Sequence, residues 1–213
     1  MALVTVVLVL AALIGLAAGG RPAALTRVPL TGWRLLLAAI GCQLAGSLLA
    51  RTSGWSAGYE IGSLAAVALL AGFLVSNTAL PGVPLVAAGL LLNLVAVLSN
   101  GAMPVSRWAA DRAGIDLTDI AAGLDARHVV GSQGTTLRPL TDVVPVPMPW
   151  FPEVLSPGDV LVASGLGLLL VTGLLWGQSG RRPDDGSAAI GTPEDAVRDT
   201  TRASASTTRG SYS

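Results

Sequence analysis

Between Glu60 and Arg107 the chain carries no ionisable side chain, and the stretch is almost wholly apolar. It is too long for one bilayer crossing and too hydrophobic for a soluble domain. Soluble domains carry about 25% charged residues, whereas this chain carries 12%, with 52% hydrophobic residues and a mean hydropathy of +0.66. That leaves too little polar surface to coat a globule. A hydrocarbon core of ~30 Å needs about 20 apolar residues in a helix. Five runs qualify: Ala2–Ala18, Trp33–Ala50, Tyr59–Ser76, Pro81–Leu98 and Pro157–Trp176. They are rich in Leu, Ala, Val and Gly and lack polar alternation, so they read as helices and not as barrel strands. The expected fold is an all-α membrane protein with about five transmembrane helices and a structured outer loop between spans four and five. The organisation reads as a four-helix region (1–98), an extracytoplasmic loop (99–156), a fifth helix (157–176) and a disordered cytoplasmic tail (177–213), whose composition is too polar to bury a core.

All thirteen basic residues are Arg, a composition that fits a GC-rich bacterial genome. Arg21, Arg27 and Arg34 fall between spans one and two, and Arg181 and Arg182 follow span five. With five spans these positions share one side. The opposite side holds Arg51 and a loop in which Arg107, Arg112, Arg127 and Arg138 are spread among acidic residues. The excess of arginine marks the cytoplasmic face, so the N-terminus is expected outside and the C-terminus in the cytoplasm of a bacterial cell. The first run ends in Ala17-Ala18-Gly19, like a signal-peptide cleavage site. Its charge follows the apolar run instead of preceding it, so it reads as a retained anchor.

Small residues recur at four-residue spacing in Ala11/Gly15/Gly19, Cys42/Gly46, Gly58/Gly62/Ala66, Ala163/Gly167 and Gly173/Gly177, a pattern that lets helix backbones approach. Gln43 and Asn93 are the polar groups expected inside the bilayer, where amides serve as interhelical hydrogen-bond glue. No ionisable residue is expected at mid-depth, which argues against an ion-driven transporter or pump. One Cys and one His cannot build a Cys/His metal site, and no cofactor motif is present.

In the loop, Ser106 is expected to cap a short helix, Arg107–Ala113, stopped by Gly114. Ala113, Leu117, Ile120, Ala121 and Leu124 predict a second amphipathic helix with an acidic outer face. Five prolines from Pro145 to Pro157 predict an extended, polyproline-like strap, with Trp150 and Phe151 suited to the membrane interface. Ser156, Pro157, Gly158 and Asp159 read as the capped start of span five.

The sequence Asn100-Gly101, Met103-Pro104-Val105-Ser106, His128, Thr136-Leu137, Leu140, Asp142, Pro145 and Pro147, closing on Ser156-x-Gly158-Asp159-Val160-Leu161, resembles the small bacterial membrane proteins grouped as domain of unknown function 5317. The resemblance covers most of the chain up to span five and excludes the tail. It implies a bacterial multi-pass membrane protein and supplies no catalytic residues.

Three function classes follow. An enzyme would use the outer loop, with His128 and Asp142 as acid–base residues beside Asp119 or Asp125 and Ser132, Thr135 or Thr136 as nucleophile. No local signature joins them: there is no Gly-x-Ser-x-Gly, His-Glu-x-x-His or phosphate-cradling glycine loop. A small-solute or lipid carrier would line its path with Gln43, Ser47, Asn93 and Asn100. The preferred reading is a non-enzymatic scaffold or accessory subunit. Its partners would be the lipid bilayer and a second copy or another membrane protein. Zero net charge and the lack of an Arg-rich aromatic patch argue against nucleic acid as a partner.

Overall fold

Runs of Leu, Ala and Val without interior charge fold as helices because each backbone group finds its partner within its own segment. The computed structural model describes residues 2–53, 56–125 and 127–177; the tail from 178 onward, where disorder is expected, lies outside them. Five long helices stand on the five apolar runs: α1 (Ala2–Ala17), α2 (Trp33–Ser53), α3 (Ser56–Ser76), α4 (Val83–Asn100) and α7 (Pro157–Leu174). Among the described residues, α4 and α7 are long and apolar enough to cross a membrane; the apolar stretches of the other three span 10–17 residues. By length and composition the structure thus supports two of the five expected spans.

Hydrogen bonds at both ends of the bundle set the helix directions. Glu153 accepts hydrogen bonds from the first backbone N–H groups of α1, those of Ala2 (2.6 Å) and Leu3 (3.0 Å). At the other end the Arg21 N–H donates to the carbonyl of Leu174 (2.9 Å). Thus α1 and α7 run parallel. α4 runs antiparallel to α7, with Gly82 against Gly165 and Gly89 against Gly158. A Cβ on Gly158 would collide with Asn93, and one on Gly82, whose φ is +93°, would collide with the Gly165 carbonyl. The second helical pair, α2 and α3, packs through Gly46, Gly58 and Gly62 and meets α4 near the α3–α4 turn. There Phe73, Leu74, Leu80, Val83 and Val86 form the apolar core.

The segment from 101 to 156 folds as a small head on the ends of α4 and α7. It contains β1 (Met103–Val105), α5 (Arg107–Ala113), α6 (Thr118–Ala121), β2 (His128–Val130), β3 (Val144–Val146) and β4 (Glu153–Leu155). Ser106 caps α5, and Gly114 closes it in the left-handed region. The amphipathic helix expected over 113–124 is only the single turn α6, which buries no residue. Asp116 accepts from the Thr118 N–H (2.9 Å), a local turn that starts the helix late. The fold is mostly helical but not all-α. β1 pairs in parallel with β2, and the proline strap is an antiparallel hairpin, β3 on β4, with Pro145 opposite Val154. Valines at 144, 146 and 154 favour a pleated strand, and a proline is tolerated in a two-stranded ribbon that has free edges.

Gly158→Ala drives a methyl into Asn93 and is expected to lower stability by ~1–3 kcal/mol. Gly41→Ala, whose added carbon meets nothing within 4 Å, should leave it unchanged or slightly raised. Thermal unfolding of both variants in one detergent checks the pair.

Candidate functional site

The polar groups of the head converge where it joins α4 and α7. The centre is β1, flanked by two partners. On one side β2 pairs with it, Met103 opposite His128. On the other, Asp142 donates its N–H to the Pro104 carbonyl (3.0 Å) and accepts at its own carbonyl from the Ser106 N–H (2.9 Å). β1 therefore brings His128 and Asp142, distant in sequence, to within 3.9 Å at Nε2 and Oδ2. That is ion-pair range, longer than a hydrogen bond. The other ring nitrogen, Nδ1, lies 2.7 Å from Asp125 Oδ2, which orients the imidazole.

Below Asp142 lies the start of α7. Ser156 and Asp159 form a reciprocal capping box: the Asp159 N–H donates to Ser156 Oγ (3.0 Å), and the Ser156 N–H donates to Asp159 Oδ2 (3.0 Å). Asn93 joins this cap from α4. Its Nδ2 donates to Asp159 Oδ1 (2.8 Å), and its Oδ1 accepts from the Ser156 hydroxyl (2.8 Å). Gly158 contributes the space Asn93 occupies.

The electrostatics follow from burial. Asp142 is 5% exposed, and desolvation pushes its carboxyl up to about 7, helped by the neighbouring charge of Asp159 and opposed by His128. Asp125 is held below the usual carboxylate range by the Arg127 N–H and then by the His128 ring. The two carboxyls that flank His128 are thus pushed in opposite directions, Asp125 down and Asp142 up.

The remaining sequence candidates lie elsewhere. Ser132, Thr135 and Asn100 line an open cleft of ≈ 420 Å³ together with Ser99, Pro104, Val129, Val130 and Gly134; His128 and Asp142 do not line it. Thr136 is tied to α4: its hydroxyl donates to the Ser99 carbonyl (3.0 Å), and its N–H donates to Asn100 Oδ1 (2.9 Å). Gln43 is half-buried on α2, and its amide has no hydrogen-bond partner among the described residues. Among the described residues no group of three His, Cys, Asp or Glu is placed to hold a metal ion. Sequence reasoning overlooked Glu153, which clamps α1. It also overlooked Asn77, buried, whose amide exchanges hydrogen bonds with both backbone groups of Thr31 (2.8 and 2.7 Å). The glycines of the α4–α7 contact, Gly82 and Gly89 against Gly158 and Gly165, repeat every seven residues and so lie outside the four-residue pattern of small residues.

A model described as a family of unknown function (DUF5317) matches residues 27–171, which include every residue of this polar cluster. The chain belongs to that family. No curated protein matches it, and no solved structure does.

In the folded protein Asp142 stays protonated up to about pH 7, while in the unfolded chain it ionises near 3.8. Between these values the unfolded state gives up its proton first, so the site weakens the fold as pH rises and does so fully above pH 7. Asp142→Asn is therefore expected to raise the unfolding midpoint at pH 8 and to leave it unchanged near pH 4. Melting curves at the two pH values, with an infrared titration of the protonated carboxyl, measure this.

Proposed function

We propose that all five long helices cross a bilayer and that the protein is a non-enzymatic scaffold or accessory subunit presenting its head to a membrane partner. The carrying observation is the outward apolar surface of the helices: Leu13, Leu44, Leu64 and Leu98 are 58, 65, 71 and 75% exposed. Contiguous surface of this kind is not left to water. Shorter apolar stretches in three helices are accommodated by local thinning and by flanking side chains that reach the interface. The head and the start of α1 sit at one end of the bundle, and Arg21, Arg27 and Arg34 sit at the other, which supports an outer head and a cytoplasmic arginine end in a bacterial cell membrane.

The carrier reading loses support because Asn93 and Asn100 are engaged by internal partners. The enzyme reading loses support because the His128–Asp142 pair and the hydroxyl cleft are separate. What remains is a folded head with exposed side chains, rigidly mounted on two helices, which is the form of a docking module.

Three measurements test this. The full chain is expected to stay with membranes through alkaline carbonate extraction, and release into the supernatant would refute the membrane reading. A Ser132→Cys substitution in a Cys42→Ala background should react with an impermeant maleimide from outside intact cells. Crosslinking from native membranes should recover a stoichiometric membrane protein, and head substitutions at Trp108 and Trp150, both largely exposed, should reduce its yield several-fold.

A further inference from the structure

The connection from α1 to α2 is short, folded and positively charged. The Arg21 N–H is held by Leu174, a 3-10 turn spans Pro22–Arg27, and the Asn77 amide grips Thr31 on both sides. Val28 packs on the apolar core. This frame holds Arg21, Arg27 and Arg34 exposed at one end of the bundle. The Arg34 guanidinium lies 5.8 Å from the ring centroid of Trp33, itself 54% exposed, and Leu25 and Leu30 are exposed beside them.

Among the described residues, these arginines have no carboxylate to answer them. The chain has no acidic residue before Glu60 and none from Ile61 to Ala110. The described acids from Asp111 to Asp159 belong to the head and the first turn of α7, at the opposite end. Among the described residues no ion pair involves Arg21, Arg27 or Arg34. A guanidinium fork matches phosphate oxygens, and tryptophan suits the headgroup layer. The exposed leucines between the charges have nothing to offer a free inorganic ion, but they suit the glycerol and upper acyl region of a lipid.

We propose that Arg21, Arg27 and Arg34, with Leu25, Leu30 and Trp33, form a collar that binds the headgroups of anionic phospholipids in the leaflet it faces. The proposal rests on the membrane reading above. Each arginine near an anionic surface is worth roughly a fivefold preference, so the three together give a selectivity well above tenfold for anionic over zwitterionic lipid.

The test reconstitutes the full chain into vesicles of phosphatidylcholine alone and of phosphatidylcholine with phosphatidylglycerol. The midpoint of thermal unfolding and the lipid retained on purification are measured in each. The expected result is a higher midpoint and more than tenfold enrichment of phosphatidylglycerol. Both should be lost in the triple variant R21Q/R27Q/R34Q and retained in R21K/R27K/R34K, with the rest of the chain unaltered. Replacing Arg107, Arg112 and Arg127 in the head with Gln should leave the preference intact. Equal behaviour in the two lipids, or equal loss in the head variant, overturns the proposal. So does a matching rise on adding inorganic phosphate to neutral vesicles, since that marks a free-anion site. Failure to insert into vesicles of either composition refutes the membrane reading itself, whereas insertion into both without lipid preference refutes only the collar.

Discussion

The structure depends on the contact between Asn93 and the start of α7. Gly89 and Gly158 bring two helix backbones so close that no side chain fits between them, and the Asn93 amide fills the next turn with hydrogen bonds to Ser156 and Asp159. A hydrogen bond of this kind contributes only ~1 kcal/mol net, but leaving a buried donor or acceptor unpaired costs more. The arrangement is therefore enforced chiefly by what its loss would expose. Since α4 leads into the head and α7 leads out of it, fixing these two helix ends fixes where the head stands.

From that mounting the head's electrostatics follow. β1 continues from α4 and takes His128 on one edge and Asp142 on the other, and Asp142 is buried above the cap of α7. The capping carboxylate of Asp159 helps keep its neighbour protonated, so a group that stabilises the helix start also shifts the proton affinity of the head. At the far end the same bundle displays Arg21, Arg27 and Arg34, which form no ion pair among the described residues. Among the described residues, the acids from Asp111 to Asp159 lie in the head and the first turn of α7, with apolar helices between them and Arg21, Arg27 and Arg34.

Much of this was legible locally. Ser106, Gly114, Ser156 and Asp159 announce their helix ends because a cap is made by residues three or four apart. Asn93 was readable as interhelical glue because an amide in an apolar run needs a partner, although nothing in the sequence named Ser156 and Asp159 as that partner. The β3–β4 hairpin was not legible, because the prolines that favour an extended chain do not reveal that Val144 will face Leu155. The short α6 shows a local signal winning over an apolar stripe: Asp116 turns the chain before a longer helix can form. Glu153 carried no signal at all, being an isolated acid whose ligand is the start of a helix roughly 150 positions away.

The sequence by itself determined the positions of the five helices, the caps of the head helix and of α7, and the acid-free stretch that holds Arg21, Arg27 and Arg34. These depend on hydrophobic runs and on interactions within a turn, which composition and spacing express directly. Only the tertiary structure decided that α1 and α7 run parallel, that Asn93 completes a cap on another helix, and that His128 and Asp142 come together across β1 while the hydroxyls of the loop do not join them. Those outcomes depend on which distant backbones can approach, and that is settled by the shape of packed helices and not by any local pattern.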